Sequence, residues 1–270
     1  MRGASRASLA AAKDKLATVL AGGPDAGRLG DELFAVTTLL DRQPALLRSL
    51  SDPARDAAPK TALARQLLAG KVSDATLGLL ASTVGARWSV PGDLSDAAEQ
   101  LAVLAVVESA ESSGQLDDLE DELFRFGRIV NASPQLRTAL SNPFAAADRK
   151  RTLLEELLAG KVTAATLRLI TQAAMHPRGR SLDASLAEYA RLAAQRRARL
   201  VAEVHVAAGL TDEQRGRLVA ALASAYGHDV HLNVVLDPQV VGGISIKTGD
   251  ELIDGSLAAR LAGLRRKLAA

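Results

Sequence analysis

Hydrophobic residues recur at helical spacing through the first two hundred residues of the chain. Glycine and proline interrupt this pattern at intervals, as at Gly70, Pro91 and Gly160. Because these residue types end helices and begin turns, the interruptions divide the region into about eleven predicted helices.

The helical pattern repeats at an offset of 90 residues. Residues 31–34 (Asp-Glu-Leu-Phe) return as residues 121–124, and residues 67–72 return as residues 157–162. More than 20 of the 50 positions from 31 to 80 are identical to the position 90 residues later. Chance pairing in this composition gives far fewer identities, so one helical unit is predicted to occur twice.

The predicted fold is mostly α. Two tandem six-helix-type bundles, a first repeat over residues 1–92 and a second repeat over residues 93–199, share a seam helix at residues 93–112. The shared helix leaves no flexible linker, so the pair is predicted to be stiff. Each repeat is expected to fold independently, so residues 91–270 should stay folded after deletion of residues 1–90.

After residue 200 the hydrophobic period changes from helical to alternating, which predicts a small α/β C-terminal domain over residues 200–270. The first predicted strand covers residues 200–206, and residues 211–214 (Thr-Asp-Glu-Gln) form a capping box that starts a helix. Residues 230–236 and 240–247 are predicted strands. A final helix is predicted from about Ser256.

Composition limits the classes of protein to consider. Hydrophobic residues make up 48% of the chain but aromatic residues only 3%, which favours helix packing through Ala, Leu and Val. The absence of cysteine excludes disulfides and thiolate metal sites. The N-terminus has no apolar signal core. The longest apolar run in that half of the chain, Leu101–Val107, is far shorter than the ~20 residues that cross a bilayer. A soluble protein, attached to membranes only through a partner, is expected.

Charge is unevenly distributed although the net charge is only +2. Residues 88–124 contain ten acids and no Lys or Arg, whereas residues 148–199 contain 11 bases and 5 acids. Two interpretations stay open: solvated helix faces, with acids at N-termini and bases at C-termini, and complementary surfaces for charged partners.

No catalytic, cofactor or metal site is predicted. Residues 242–247 contain two glycines and a lysine but run into a strand, whereas a phosphate loop runs into a helix N-terminus. Three histidines lack the spacing of zinc ligands and are better explained as solvated or hydrogen-bonded: His205, His228 and His231. Three acids precede Pro or Gly, or follow Gly, as turn residues do: Asp237, Asp250 and Asp254. The chain is therefore not expected to be an enzyme.

The C-terminal domain carries short motifs that resemble the delta subunit of F-type ATP synthase, the relative of the mitochondrial oligomycin sensitivity conferral protein. They are residues 237–243 (Asp-Pro-Gln-Val-Val-Gly-Gly), 248–250 (Thr-Gly-Asp), 253–256 (Ile-Asp-Gly-Ser) and 260–261 (Arg-Leu). Residues 134–137, 142–143, 150–154 and 160–162 resemble the helical domain of that family. The resemblance covers about Ser95 to Leu268. Two features depart from the family pattern: the extra N-terminal repeat, and Val240-Val241 where Leu-Ile is expected.

The resemblance implies a peripheral-stalk, or stator, subunit that holds the catalytic head against rotor torque. The helical domain would bind amphipathic N-terminal helices of the alpha subunits in grooves between its own helices. The C-terminal domain would meet the b subunit. The implied protein is present once per complex, at the cytoplasmic face of the cell membrane, and needs no cofactor.

The resemblance also places the grooves. In the second repeat they would lie on Ala97–Ser112 and Val162–Ala174, and in the first repeat on Ser5–Leu20 and Val72–Arg87. The second repeat is expected to hold an alpha-subunit helix, and the first to extend the contact. The predicted partner-binding residues are Leu101, Leu104, Val107, Val162, Leu167 and Ile170 in the second repeat and Leu257, Leu261 and Leu264 in the final helix.

Two other functions remain open from the residues alone. A helical-repeat adaptor with an unrelated partner would use the same platform, but it gives no reason for the α/β tail. An RNA-binding regulator would use the basic residues between Arg180 and Arg199, although no aromatic side chains are interleaved there for base stacking.

Overall fold

The computed structural model describes residues 1, 3–142, 145–207, 209–226, 231–237, 240, 244–248 and 251–254. The chain forms two compact units, Met1–Ala193 and Ala194–Ala270. The first unit contains the helical repeats. The second contains the small α/β domain.

Eleven helices account for the described part of residues 1–200. They are α1 (Ala4–Ala21), α2 (Ala26–Arg42), α3 (Pro44–Ser51), α4 (Ala57–Leu68), α5 (Asp74–Gly85), α6 (Pro91–Ser112), α7 (Leu116–Ala132), α8 (Pro134–Ser141), α9 (Ala147–Leu158), α10 (Ala164–Met175) and α11 (Leu182–Leu200). The predicted seam helix corresponds to α6, which begins two residues earlier because Pro91 fits the first turn of a helix.

The helix boundaries repeat with the sequence. Helices α2 to α5 recur as α7 to α10, and each boundary moves by 90 residues. The same shift carries α1 onto α6 and α6 onto α11, within a few residues at the ends. The duplicated sequence therefore produces a duplicated order of helices.

A polar anchor also recurs between the repeats. The Glu32 carboxylate accepts hydrogen bonds from the Ser73 N–H (2.9 Å), the Ser73 hydroxyl (2.7 Å) and the Thr76 hydroxyl (2.6 Å). Ninety residues on, Glu122 accepts the equivalent three bonds from Thr163 and Thr166. Ser73 also caps α5, as Thr163 caps α10. Each anchor thus ties the second helix of its repeat to the start of the fifth.

Helix α6 lies at the centre of the first unit. It packs against α1, α2, α3 and α5 from the first repeat and against α7 and α10 from the second. The contact with α2 is close: a Cβ on Gly30 would lie 2.6 Å from Val106 Cγ2 and 3.2 Å from the Ala102 carbonyl oxygen. Because helices of both repeats contact α6, most of its apolar side chains are buried.

The second unit contains β1 (Val201–Val206), α12 (Asp212–Tyr226), β2 (His231–Leu236), β3 (Ile244–Thr248) and β4 (Glu251–Asp254). The sheet order is β2-β1-β3-β4, with β1 parallel to β2, β1 antiparallel to β3 and β3 antiparallel to β4. Its core contains Val204, Val206, Leu222 and Ile246. The predicted capping box is confirmed: Thr211 and Gln214 exchange two hydrogen bonds.

Three sequence predictions for the second unit need correction. Leu200 ends α11 and is not part of β1. The third strand covers Ile244–Thr248, not residues 240–247. Asp254 was predicted in a turn but lies in β4, opposite Ser245. The sequence of β4, Glu-Leu-Ile-Asp, does not alternate between apolar and polar residues, so it does not predict a strand. The strand forms because β4 pairs with β3. The predicted final helix lies outside the described residues.

Among the described residues, no helix has the length and apolar character needed to cross a membrane.

Candidate partner-binding site

A cleft of about 570 Å³ opens on the first repeat between α1, α4 and α5. Its lining residues are Lys15, Ala57, Thr61, Arg65, Gly78, Ala81, Ser82 and Gly85. Lys15 belongs to one predicted groove helix of the first repeat, Ser5–Leu20, and four of the other residues belong to the second, Val72–Arg87. The cleft therefore lies between the two segments expected to form a groove in this repeat.

Helix α5 contributes a wall of small residues to the cleft. Gly78, Ala81, Ser82 and Gly85 share one face, at spacings of three and four residues. A Cβ on Gly78 would meet no atom within 4 Å, so the surface there is open. Small side chains allow a second helix to approach closely, as α6 approaches α2 at Gly30.

The two charged residues of the cleft are both cations. Lys15 and Arg65 are exposed and come from α1 and α4. A helix seated on the small-residue wall would place its flanking side chains near these cations. The cleft therefore favours an amphipathic helix with acidic residues beside its apolar stripe.

At two of these positions the second repeat differs from the cleft. Lys15 corresponds to Ala105, which is fully buried. Gly78 corresponds to Arg168, whose guanidinium pairs with Asp31 on α2 at 3.2 Å. The same guanidinium lies against Gly27, where a Cβ would be 3.2 Å from its Nη1 atom. An external helix thus has access to the first repeat at these positions, whereas the second repeat uses them for contacts within the chain.

The predicted residues of the second repeat divide into two groups. Leu101, Val107 and Ile170 are fully buried, so they belong to the core and are not available to a partner in this structure. These apolar residues were predicted to line a groove. Other helices pack against α6 and α10 at these positions, and the sequence pattern does not show which helices pack together. Three others are partly exposed: Leu104, Val162 and Leu167. The final-helix residues Leu257, Leu261 and Leu264 lie outside the described residues.

A buried ionic cluster joins the two repeats beside α6. The Arg178 guanidinium donates to Asp41 on α2 at 2.6 Å, to the Ser95 hydroxyl at 2.7 Å, and to Glu99 on α6. It also lies 3.1 Å from Asp96. Because Arg178 precedes α11 and Asp41 ends α2, one side chain connects segments 137 residues apart in the chain.

Glu99 is the most buried member of this cluster, with 3% of its side chain exposed. It accepts hydrogen bonds from Arg178, from Arg180 and from the Tyr189 hydroxyl, the last at 2.8 Å. Burial and the neighbouring Glu99 carboxylate raise the pKa of Tyr189, so the phenol stays a donor. Partial desolvation beside the cluster raises the pKa of Asp96 above its ordinary value, although 54% of its side chain is exposed.

This ionic cluster changes the interpretation of the acidic segment. The sequence left two alternatives for residues 88–124, solvated faces and partner surfaces. Glu99 does neither, since it pairs with Arg178 and Arg180 inside the first unit, while Asp96 pairs with Arg178 at the edge of the cluster and stays exposed. All charged residues of α6 are acids, which was a possible signal that some of them pair with bases elsewhere in the chain. Only the fold identifies Arg178 as the partner.

The structure describes some of the candidate residues of the second unit. Asp237 follows β2, and its carbonyl oxygen accepts a hydrogen bond from the Val240 N–H, as predicted for a turn. His205 Nδ1 lies 3.5 Å from an Asp237 carboxylate oxygen, so these two residues are neighbours. His231 begins β2. His228 and Asp250 lie outside the described residues.

Comparison with known proteins agrees with the resemblance in the C-terminal motifs. Residues 103–268 match the family model "ATP synthase delta (OSCP) subunit". The ATP synthase subunit delta of Thermobifida fusca is 48% identical over 269 residues, and that of Acidothermus cellulolyticus is 47% identical over 273 residues; both matches cover 100% of each chain. These relatives therefore also span the first repeat. A chain in the cryo-EM structure of Toxoplasma gondii mitochondrial ATP synthase hexamer matches with a TM-score of 0.31 and 20% identity, covering 62% of this chain and 95% of that chain.

Proposed function

Because the chain belongs to the ATP synthase delta (OSCP) subunit family, a non-catalytic, peripheral-stalk component of F-type ATP synthase, we propose that it links the catalytic head to the b-subunit stalk and resists rotor torque. In this proposal it acts as a single copy at the cytoplasmic face of the cell membrane. It holds an alpha-subunit N-terminal helix through its helical repeats and the b subunit through its C-terminal domain.

The observation that carries the head contact is the cleft between α1, α4 and α5. Its small-residue wall suits a closely packed helix, and its cations Lys15 and Arg65 suit acidic flanks. We therefore assign the alpha-subunit helix to the first repeat, not to the second as the sequence suggested. Leu104, Val162 and Leu167 remain proposed contacts at the edge of the second repeat, and Leu257, Leu261 and Leu264 remain proposed contacts with the b subunit.

Stiffness supports the stator role. We propose that the first unit consists of two six-helix bundles that share α6, with the Arg178 cluster bridging them. A shared helix and a buried bridge leave no hinge of the kind a flexible linker would provide. Such an element passes force between the head and the stalk with little bending.

The test is binding of the purified chain to a catalytic head stripped of its own delta subunit. Gly78→Arg places in the cleft the residue that the second repeat has at the equivalent position. We expect it to weaken binding at least tenfold without lowering the free energy of unfolding, because the Gly78 site is open and Arg is a better helix former than Gly. Gly92→Arg is the matched control, since a Cβ there also meets no atom within 4 Å and Gly92 lies outside the cleft.

A head that lacks the alpha N-terminal segments should bind neither the wild-type chain nor the Gly92→Arg variant tightly. Tight binding to such a head would exclude the alpha-subunit helix as the occupant of the cleft. Binding of wild type to neither head would favour the unrelated adaptor function.

A further inference from the structure

A buried lysine joins the end of α5 to α4. Lys60 has only 2% of its surface exposed, and its ammonium donates a hydrogen bond to the Ala86 carbonyl oxygen, just after α5, at 2.9 Å. Burial lowers the pKa of Lys60, and the nearby Asp52 carboxylate only partly opposes this effect. Because lysine is seldom buried with a neutral carbonyl as its acceptor, this position calls for a specific role.

Two hydrogen bonds to α1 hold the segment that follows α5. The Ser8 hydroxyl donates to the Arg87 carbonyl oxygen at 2.7 Å, and the Ser5 hydroxyl accepts from the Ser89 N–H at 2.7 Å. Together with the Lys60 bond, they join the end of α5 to α1 and α4, the other two helices of the cleft. We call the hydrogen bonds made by Ser5, Ser8 and Lys60 the α5 clamp.

The α5 clamp lies next to the small-residue wall of the cleft. Thr61, which follows Lys60 on α4, lines the cleft and donates a hydrogen bond to the Ala81 carbonyl oxygen at 3.3 Å. A Cβ on Gly85, at the end of the wall, would lie 3.2 Å from the Thr61 hydroxyl oxygen. The wall thus meets α4 closely at this end, so the position of the α5 end sets the width of the cleft.

The second repeat keeps the lysine but not the whole clamp. Lys60 corresponds to Lys150, which is partly exposed. Ser8 corresponds to Ala98, which has no hydroxyl to donate. The equivalent helices of the second repeat therefore form without every bond of the clamp, and the complete clamp occurs in the repeat that carries the cleft.

We propose that Lys60 is a positioning residue for the partner helix that the cleft receives. Its ammonium holds the end of α5 against α4, while Ser5 and Ser8 hold it against α1, so the cleft already has the width of the bound state. A preformed site binds more tightly than one that must be ordered on binding. The proposal depends on the stator function for the identity of the helix, and it adds the residues that keep the site open.

The test measures the affinity of a synthetic peptide of the alpha-subunit N-terminal segment for the purified full chain. Lys60→Met keeps an unbranched side chain but removes the donor. We expect affinity to fall about tenfold, as it does when about a tenth of the molecules hold the binding form. Lys161→Met is the matched control, because the Lys161 ammonium also donates to a backbone carbonyl oxygen, that of Leu157, at 3.0 Å but in the second repeat. It should leave the affinity unchanged.

Two readouts separate positioning from a loss of charge or of stability. The affinity difference should persist at raised salt, which screens a purely electrostatic effect on an acidic peptide. Amide hydrogen exchange of residues 82–90 should be faster in free Lys60→Met than in free wild type, and equal in the two peptide complexes. A uniform increase in exchange over the whole first unit would indicate lower stability alone and would overturn the positioning role.

A second variant decides the question if Lys60→Met does not fold. Ser8→Ala removes one bond of the clamp and should weaken peptide binding about threefold, the effect of one modest hydrogen bond. Ser113→Ala is its matched control, since the Ser113 hydroxyl donates to the Ser109 carbonyl oxygen at 2.8 Å outside the cleft. Equal affinities of Ser8→Ala and wild type would overturn the clamp.

The outcomes separate this inference from the stator function. If the peptide does not bind wild type, the proposed head contact and the positioning role both fail. If the peptide binds wild type, Lys60→Met and Lys161→Met with equal affinity, Lys60 is not a positioning residue and the stator function stands.

Discussion

Two carboxylates of the first unit, the partly buried Glu32 and the buried Glu99, are stabilised by different sets of donors. Glu32 is held by hydroxyl and amide groups from the start of α5 and by the Arg28 guanidinium of its own helix, while Glu99 is held by two guanidiniums and a phenol. Burial alone would disfavour either charge, so each carboxylate depends on its donors. The first arrangement fixes helices within a repeat, and the second fixes one repeat to the other.

The Glu32 anchor should make the stability of the helical unit depend on pH. Burial tends to raise the pKa of Glu32, but the hydrogen bonds from Thr76 and Ser73 outweigh it and lower that pKa from 4.5 to about 2. A carboxyl whose pKa is lower in the folded state stabilises the fold fully above about pH 4.5, and this contribution is lost as the pH falls towards about 2.

Glu32→Gln should therefore reduce the free energy of unfolding by about 2 kcal/mol at pH 7, since a charged acceptor of four hydrogen bonds is lost. The difference from wild type should shrink as the pH falls from about 4.5 to 2. Urea denaturation at several pH values measures it. Glu156→Gln, at an exposed position of α9, is the control, and a constant difference for Glu32→Gln at all pH values would contradict the anchor.

Loss of the Arg178 guanidinium should be much more costly than loss of an exposed one. Arg178→Met leaves Asp41 and the buried Glu99 without their shared partner, and removing one partner of a buried ion pair costs about 3–5 kcal/mol. Arg125→Met breaks only an exposed pair and should cost about 0.5 kcal/mol or less. Urea denaturation followed by circular dichroism compares the two variants. Equal, small losses would show that the Arg178 cluster adds no stability.

At the scale of helices, α2 and α6 pack closely at Gly30. Gly30 permits it, because a Cβ there would come within 2.6 Å of a Val106 methyl and 3.2 Å of a backbone oxygen. Gly127 on α7 has no atom within 4 Å of its Cβ position. The helices themselves were predictable from periodicity and from Gly and Pro, but the partner of each helix was not.

Gly30→Ala should destabilise the first unit by about 1–3 kcal/mol, because α2 and α6 must separate or Val106 must leave its rotamer. Gly127→Ala should instead stabilise it by about 0.5–1 kcal/mol, through helix propensity. Thermal unfolding of the two variants beside wild type measures both effects. A stabilising Gly30→Ala would show that the α2–α6 contact is looser than the structure indicates.

At the scale of the whole molecule, the contacts of α6 with helices from both repeats argue against independent repeats. The sequence suggested that residues 91–270 would stay folded after deletion of residues 1–90. That deletion removes α1 and α2 from α6, exposes Ala102 and Val106, and takes Asp41 from Arg178. Buried apolar area would be lost on the longest helix of the unit.

We therefore expect the fragment 91–270 to unfold at a denaturant midpoint far below that of the full chain, or to associate through α6. Circular dichroism during urea denaturation and light scattering measure the two effects. A fragment of residues 194–270, which forms a separate compact unit, is the comparison. A monomeric fragment 91–270 with the stability of the full chain would restore the independent-repeat interpretation.

The sequence by itself determined the duplicated order of helices, the change to an α/β domain near residue 200, and the family. These properties follow from local features of the sequence: apolar periodicity, helix caps such as Thr211 with Gln214, and short motifs in fixed order. Only the tertiary structure decided which apolar residues are core and which face outward. Leu101 and Phe124 are both apolar helix residues, yet Leu101 is fully buried and Phe124 is largely exposed. The reason is that exposure depends on which helices pack nearby, and the sequence of one helix does not specify its neighbours.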